Sequence, residues 1–289
     1  MLHAVCCYFN PNNYAKLKEN YRFFRKNFKY PLTTVELALD NQDFFIDDAI
    51  HIRGNNRHIL WQKERLLNLA IESLPKNIDK IVWVDTDIIF ENDTWFQETE
   101  KKLENYPVIQ AFETVSETSN DDNIVTPHKH GYGFAKSFTE NLIDTLDHWP
   151  KCGLSWAFRR QCLPNGLYDK CVIGNGDALQ LAAWLGNWDN YLIHLMSPKT
   201  RERFLLDRYQ DYESVKANIS YVRGNIIHLY HGNLENRQYF DRNWILIENA
   251  FDATTDISLD NNGLYQWSTH KPKLHQNIKL YFQERKDDE

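Results

Sequence analysis

The fold is decided by the stretch Ile81-Val82-Trp83-Val84-Asp85-Thr86-Asp87. Its four successive apolar residues are typical of a central parallel strand that is covered on both faces. The strand leads directly into Asp85 and Asp87, which places two carboxylates at its carboxyl end. Open α/β sheets bind ligands at that edge, because loops and helix N-termini converge there. The stretch therefore predicts an α/β sheet with a polar site at the end of a central strand.

The sequence around this strand alternates between apolar runs and helical patterns. Continuous apolar runs predict strands at Leu2–Tyr8, Thr33–Leu39 and Val108–Phe112. Apolar residues at helical spacing predict helices at Tyr14–Asn27, Trp61–Leu74 and Asp93–Asn105. This alternation is the sequence form of repeated βαβ units. It predicts an α/β fold with a mixed, mostly parallel sheet flanked by helices.

The second half of the chain is less regular than the first. It predicts strands at Leu154–Phe158 and Ile226–Tyr230 and helices at Asp177–Leu185 and Arg201–Asn218. The long polar stretch Thr114–Gly133 predicts a mobile, lid-like loop, and the residues from Phe251 onward are expected to be irregular. Since the sequence has no repeat and no clear Pro/Gly linker, we expect one domain with an elaborated C-terminal half.

Composition and charge narrow the class of protein. The 289 residues include 33 Lys and Arg against 40 Asp and Glu, which gives a formal charge of −7, and 42% are apolar. These values are typical of a folded globular protein and exclude a disordered or fibrous one. The acidity disfavours a protein whose whole surface binds nucleic acid, although a local basic groove stays possible.

The location of the protein is predicted from its apolar runs and cysteines. No window approaches eighteen apolar residues, and the first residues lack the order of a signal peptide, so we expect neither secretion nor a membrane span. The five cysteines are odd in number and form no C-x-x-C pair. They predict reduced thiols and a cytoplasmic protein.

The pair Asp85 and Asp87 is the first candidate for chemistry. Mg²⁺ and Mn²⁺ take oxygen ligands and are often held by one or two carboxylates together with substrate phosphates. A pair of carboxylates at a strand end is suited to such an ion. The alternative is a turn in which one Asp caps the following segment.

The second candidate is the stretch from Ile226 to Gly232, which contains His228 and His231. On an extended segment these two side chains would point to opposite faces, so we expect only one of them to bind a metal. His231 is the better candidate, because Gly232 next to it lets the chain turn and approach a ligand. His228 lies within the apolar run and is expected to be a core residue.

The third candidate is Gly174-Asn175-Gly176-Asp177, which opens a predicted helix. Its glycines allow close backbone approach, and Asp177 could accept a proton from a hydroxyl group. The alternative is an Asp that stabilises the start of the helix. Lys63, at the start of the helix before the Asp85 strand, could pair with a diphosphate, or could belong to a solvated helix face.

Together these segments resemble a nucleotide-sugar-dependent glycosyltransferase of the GT-A fold, and most of all a bacterial and phage family within it. The resemblance spans about residues 2–265 and rests on the order and spacing of six motifs. The motifs are Thr34–Ala38, Leu60–Glu64, Trp83–Asp87, Gly153–Arg160, Gly174–Asp177, and His228–Gly232 followed by Asn236–Tyr239.

The resemblance implies a role for each matching residue. It implies a Mn²⁺ or Mg²⁺ ion held by Asp85, Asp87 and His231, with Asp85 also near the donor ribose. Donor contacts are implied for Tyr8, Asn10, Lys63, Asp85 and Thr86. Asp177 is implied as the general base of an inverting transfer, or as a hydroxyl-binding residue if the enzyme retains configuration. Acceptor contacts are implied for Trp156 and Gly176, although Trp156 could equally be a buried core residue.

The resemblance also implies a division of the chain and a set of partners. Residues 1–113 would bind the nucleotide sugar and metal, 114–250 would face the acceptor, and 251–289 would form a C-terminal extension. A UDP-sugar is the expected donor, while the acceptor hydroxyl could belong to a glycan, a protein or a modified base in phage DNA. DNA would require a basic groove beside the site, for which the candidates are Arg159, Arg160, Arg201, Arg203 and Arg208.

Two other functions are considered. A nucleotidyltransferase on a similar fold should have a basic, Gly-rich loop after the first strand, but Phe9-Asn10-Pro11-Asn12-Asn13 has neither Gly nor Arg. A non-catalytic carbohydrate-binding or assembly protein would suit the 14% aromatic content. The combination of paired carboxylates, His231 and Asp177 favours an enzyme.

Overall fold

The chain alternates strands and helices through residues 1–120, 129–146 and 148–289, which a computed structural model describes. The strands are β1 (Leu2–Phe9), β2 (Leu32–Leu39), β3 (Ile50–Gly54), β4 (Lys80–Val84), β5 (Ile88–Phe90), β6 (Val108–Gln110), β7 (Thr114–Glu117), β8 (Lys129–Tyr132), β9 (Ser155–Arg159), β10 (Ile219–Tyr221), β11 (Asn225–His228), β12 (Ile257–Leu259) and β13 (Tyr265–Trp267). The helices are α1 (Ala15–Asn27), α2 (Lys63–Ser73), α3 (Trp95–Lys102), α4 (Phe134–Thr139), α5 (Gly176–Leu185), α6 (Tyr191–His194), α7 (Pro198–Val215), α8 (Arg242–Glu248) and α9 (Pro272–Glu284).

The central sheet has seven strands in the order β10-β6-β9-β4-β1-β2-β3. Strands β1, β2, β3 and β4 pair in parallel, as do β6 and β10, whereas β9 is antiparallel to both β4 and β6. The predicted fold class, an α/β fold with a mixed, mostly parallel sheet flanked by helices, is confirmed. Because β1 and β4 are adjacent and parallel, the residues that follow them lie at the same edge of the sheet.

Alternating residues of β4 enter different apolar cores on the two faces of this sheet. Ile81 and Trp83 pack with side chains of α2, α5 and α9, whereas Val82 and Val84 pack with side chains of α1 and α3. A strand that is covered on both faces needs apolar residues at every position, which explains its continuous apolar run. The run that decides the fold is thus a product of burial on both sides.

A second sheet, in the order β5-β11-β7-β8, brings the histidine segment to the Asp-x-Asp motif. Strand β5 begins directly after Asp87 and pairs antiparallel with β11, with His228 opposite Ile88. The predicted C-terminal strand therefore ends beside the predicted acidic edge.

Two sequence predictions differ from the structure, and a strand of the central sheet was not predicted. The residues after Phe251 are not irregular, because they form the paired strands β12 and β13 and the helix α9. The predicted loop Thr114–Gly133 contains β7 and β8, which pair with each other, while its residues 121–128 lie outside the described part of the chain. Strand β3, at the sheet edge beyond β2, was not predicted.

Helix α9 forms because apolar residues recur at helical spacing behind a proline at its start. The buried positions are Leu274, Ile278, Tyr281 and Phe282. Within the described residues, no helix is both long and apolar enough to cross a membrane. All five cysteines are free.

We expect Ile278→Ala to lower the free energy of unfolding by about 2–5 kcal/mol, because it removes a side chain that is 0% exposed and leaves a cavity. Urea denaturation measures the change. The matched variant Lys279→Ala, on the exposed side of the same helix, should change stability by less than about 0.5 kcal/mol. Equal effects would show that α9 does not pack into the core as described.

Candidate active site

A cavity of about 480 Å³ lies at the carboxyl ends of β1 and β4, and all of the predicted site residues except Asn10, Trp156 and Gly176 line it. Its walls also include the start of α2, the segment 149–154, the loop before α5, the segment 228–242 and the end of α9. Carboxyl ends of parallel strands are the usual place for ligands in α/β sheets, so the cavity stands where the sequence predicts it.

Asp87, His228 and His231 meet in one wall of this cavity, with ligand atoms that all lie within 4.8 Å of one another. Asp87 Oδ2 lies 3.1 Å from His231 Nε2 and 3.7 Å from His228 Nε2, and the two Nε2 atoms are 3.2 Å apart. The prediction that the histidines point to opposite faces is wrong. Strand β11 ends at His228, so the strand alternation of side chains does not extend to His231, and the Leu229 amide donates to the Asp87 carbonyl at 2.8 Å.

The charges of this cluster are set by burial and by each other. Burial alone would raise the pKa of Asp87, but His231 and His228 outweigh it and hold that pKa well below its usual range. Burial, and then Arg237, lower the pKa of His231 to about 4, so its ring is neutral near pH 7. Burial lowers the pKa of His228, but the nearby carboxylates of Asp87 and Glu117 have the larger combined effect and raise it above its ordinary value.

The three side chains fit a divalent cation. Asp87 Oδ1 is buried and accepts no hydrogen bond from the described residues, which is costly for a carboxylate oxygen. One carboxylate and two imidazoles offer three ligand atoms, a set that suits transition metals better than Mg²⁺. The His231 ring is further held by Arg237, which donates to its Nδ1, and by Asp287, whose Oδ1 lies 3.8 Å from that nitrogen.

Asp85 stands apart from this cluster and pairs with Lys63. The Lys63 Nζ atom is 2.6 Å from Asp85 Oδ1 and 2.8 Å from Oδ2. Burial raises the pKa of Asp85 to about 6 against the opposing effect of Lys63, and Asp87 adds to the rise. Lys63 therefore faces the cavity beside the acidic motif, where the sequence places it.

Glu64 is a site residue that sequence reasoning did not single out. It lines the cavity yet is only 5% exposed, and burial raises its pKa to about 8, against the lowering effect of Lys63. Gly176 makes this burial possible, since a Cβ there would lie 2.3 Å from Glu64 Cδ. The acceptor role implied for Gly176 has no support in its contacts, which are with Glu64.

Asp177 lies at the start of α5 and lines the cavity. Its Oδ1 accepts a hydrogen bond from the Ala178 amide at 2.8 Å, which leaves Oδ2 to accept a proton. Oδ2 packs against Gly153, where a Cβ would lie only 2.1 Å away. Before it, Asn175 adopts a left-handed φ of +75° and accepts a hydrogen bond from Arg242. Gly153 and the loop before α5 thus both contribute to the position of the Asp177 carboxylate.

The other predicted contact residues fall into two groups. Tyr8 and Thr86 line the cavity. Asn10 instead organises the loop after β1, where its side chain bonds to the backbone of Tyr14 in both directions, at 2.8 and 2.9 Å. Trp156 is 1% exposed, and its indole donates to the Cys152 carbonyl at 2.9 Å, so it is a core residue with no face available to a sugar.

The basic groove predicted for a DNA acceptor is not formed at this cavity. None of its five candidate arginines lines the cavity walls. Arg160 donates to backbone carbonyls, Arg203 pairs with Asp207, and Arg208 pairs with the buried Asp211. These contacts are structural, and the Lys and Arg side chains that do line the cavity are different ones: Lys63, Lys151, Arg237, Arg242 and Arg285.

No protein-family model and no curated protein matches this sequence. Among solved structures, S. aureus TarS 1–349 is similar with a TM-score of 0.40 at 8% identity, over 97% of this chain and 71% of that chain. Glucosyl-3-phosphoglycerate synthase from Mycobacterium tuberculosis, in complex with Mg²⁺ and uridine diphosphate, is similar with a TM-score of 0.34 at 11% identity. The match covers 86% of this chain and 78% of that chain. The 4-diphosphocytidyl-2C-methyl-D-erythritol synthase from Anaerococcus prevotii is similar with a TM-score of 0.33 at 8% identity. The match covers 97% of this chain and 96% of that chain. Likenesses this distant assign no activity, so the chemistry of the site has to decide the function.

Glu64 makes a testable contribution to the pH dependence of stability. Its folded pKa of about 8 lies above its ordinary value of 4.5, so the folded state holds the proton more tightly; the stability this gives is full below about pH 4.5, is lost as pH rises to about 8, and falls no further above that. Between pH 6 and pH 9, we expect the free energy of unfolding of wild type, measured by urea denaturation, to fall by more than about 1 kcal/mol relative to that of Glu64→Gln. Glu202→Gln, at an exposed position on α7, should follow wild type. Parallel curves for all three proteins would contradict the assignment.

Proposed function

We propose that the protein is a metal-dependent glycosyltransferase, which moves a sugar from a nucleoside-diphosphate sugar to an acceptor hydroxyl. A single observation carries this proposal. One cavity brings together the cluster of Asp87, His228 and His231, the ion pair of Lys63 with Asp85, and the carboxylate of Asp177. A cation site, a cation for phosphate and a proton acceptor are the groups that such a transfer requires.

The cluster would hold the cation. Asp87, His228 and His231 would bind it, and Mn²⁺ suits their two imidazoles better than Mg²⁺ does. When bound, a divalent cation neutralises charge on the diphosphate leaving group. His228 takes the place that the resemblance gives to Asp85 in the ligand set.

Lys63 and Asp85 would act on the donor. The ammonium group of Lys63 is partly buried beside Asp85 in the cavity wall and can exchange this carboxylate for a diphosphate oxygen. Asp85 is then available to hydroxyl groups of the donor. Tyr8 and Thr86 border the same space and are proposed as further donor contacts, with a UDP-sugar as the donor to test first.

Asp177 would act as the general base. The Ala178 amide fixes its Oδ1, and Gly153 fixes the direction of its Oδ2, so the carboxylate is oriented before an acceptor arrives. In an inverting transfer, Oδ2 takes the proton of the acceptor hydroxyl as that oxygen attacks the anomeric carbon.

The metal site is tested by measuring the melting temperature of the protein with UDP, in the presence and in the absence of Mn²⁺. We expect a Mn²⁺-dependent rise in melting temperature, because a ligand that binds the native state stabilises it by mass action. Asp87→Ala and His228→Ala should weaken Mn²⁺ binding, measured by calorimetry, by more than tenfold.

The chain offers a matched control for this test. Asp189 and His194 form an exposed carboxylate–imidazole pair at 2.8 Å, away from the cavity walls, and alanine at either position should leave Mn²⁺ binding unchanged. Replacing UDP by UTP and a sugar phosphate tests for a nucleotidyltransferase. Preferential binding of that pair, or Mn²⁺ binding unaffected by Asp87→Ala, would overturn the proposal.

Asp177→Asn tests the base without knowledge of the acceptor. Slow hydrolysis of the best-binding UDP-sugar uses water in place of the acceptor, and water also needs a base. We expect Asp177→Asn to keep the Mn²⁺-dependent thermal shift but to release UDP on the order of 100-fold more slowly. Asp189→Asn serves as the surface control. Full hydrolysis by Asp177→Asn would remove this residue from the base role.

A further inference from the structure

Three large aromatic side chains stand exposed around the cavity that holds Asp87 and Asp177. The exposed fractions are 70% for Trp149, 45% for Tyr239 and 77% for Phe240. Single exposed apolar residues are ordinary on a protein surface, but several of them around one functional cavity mark an interaction site.

Two of these rings are already held by the protein. Trp149 packs against Phe134, with ring centroids 6.1 Å apart and planes at 48°. The guanidinium carbon of Arg242 lies 5.0 Å from the Tyr239 ring centroid, and Arg237 donates to the Tyr239 hydroxyl at 3.4 Å. A ring that is fixed before a ligand arrives loses little conformational freedom on binding. Trp149 and Tyr239 are therefore partly preorganised for a ligand.

The predicted base lies between the two segments that carry these rings. On one side, Asp177 packs against Gly153, in the cavity-lining segment that begins with Trp149. On the other side, the loop before Asp177 is bonded to Arg242 in α8, the helix that follows Phe240. A ligand that stacks on these rings is thus brought close to the base.

The chemistry of the rim favours a sugar ring. The face of an aromatic ring is electronegative, and the flat face of a pyranose presents C–H groups with a slight positive charge. Stacking of the two faces hides the apolar side of the sugar and leaves its hydroxyl groups directed sideways, toward polar neighbours. This is the orientation that a hydroxyl acceptor needs.

The charges around the cavity disfavour a nucleic acid. Nucleobases also stack on aromatic rings, but each nucleotide brings a phosphate charge that must be neutralised. Lys63 is assigned to the donor diphosphate by the proposed function, and in the described residues each other Lys or Arg side chain that lines the cavity has a protein partner. The pairs are Lys151 with Glu117, Arg285 with Asp287, Arg237 with His231, and Arg242 with Asn175 and Tyr281. With a formal charge of −7 for the whole chain and the donor diphosphate assigned to Lys63 and the cation site, a neutral acceptor fits best.

We propose that Trp149, Tyr239 and Phe240 form a saccharide-binding rim, on which the pyranose rings of a glycan acceptor stack with one hydroxyl directed at Asp177. This inference rests on the proposed function and narrows its acceptor to the saccharide class.

The rim is tested by saturation-transfer NMR on the full chain with UDP and Mn²⁺ present. The ligands are the methyl glycosides of glucose, galactose, mannose, rhamnose and N-acetylglucosamine, with a ten-nucleotide thymidine strand and a ten-residue Ser/Thr peptide for comparison. We expect at least one glycoside to receive saturation from the aromatic protons. Trp149→Ala and Phe240→Leu should weaken its apparent affinity more than tenfold, whereas Phe240→Tyr, which keeps the ring, should stay within threefold.

Trp244→Ala is the matched control, since Trp244 is 50% exposed on α8 but does not line the cavity. It should bind the glycosides as wild type does. Three outcomes would each overturn the proposal. They are no saturation of any glycoside, glycoside binding by Phe240→Leu equal to that of wild type, and ring-dependent binding of the nucleotide strand or the peptide instead. A second run without UDP and Mn²⁺ separates the two claims, because ring-dependent glycoside binding without any Mn²⁺-dependent UDP shift would reject the glycosyltransferase and keep the rim.

Discussion

The site depends on the contacts of the Asp87 carboxylate with His228 and His231, which offset the cost of removing that carboxylate from water. A buried carboxylate is costly unless positive or polar groups surround it, and here two imidazoles within 4.8 Å do so. The Leu229 amide fixes the arrangement from the backbone by donating to the Asp87 carbonyl. The pairing of β5 with β11 extends this contact into a second sheet, so the histidines are placed by the fold itself.

The parts that could be predicted from sequence are those with a local signal. Burial of β4 on both faces produces its apolar run, and its carboxyl end locates Asp85 and Asp87 without knowledge of any distant residue. Helices α2 and α5 follow from apolar spacing, so Lys63 and Asp177 were placed at the site. The prediction for His228 was wrong because side chains alternate only while a chain stays extended, and β11 ends at that residue.

The rest could not be predicted because it depends on contacts between distant segments. Glu64 resembles an ordinary surface residue of a helix start, and only its packing against Gly176 removes it from water. Trp156 gives the same sequence signal in a core as in a sugar site, and its neighbours across β4 and α5 decide for the core. Trp149 and Phe240 could not be assigned to a binding site from sequence, because only the fold shows that both line the same cavity.

The contact between Arg237 and His231 has a consequence for how a cation enters. A guanidinium group can only donate, so Nδ1 of His231 accepts, and the proton of the neutral ring therefore sits on Nε2, facing Asp87. A cation would compete with this proton for the same nitrogen. Binding of a cation to Nε2 of a neutral ring would place the proton on Nδ1, where Asp287 is the nearby acceptor. Arg237 and Asp287 thus act on the same nitrogen in opposite ways, because Arg237 favours the tautomer with a bare Nδ1 and Asp287 favours the one that an ion on Nε2 would need.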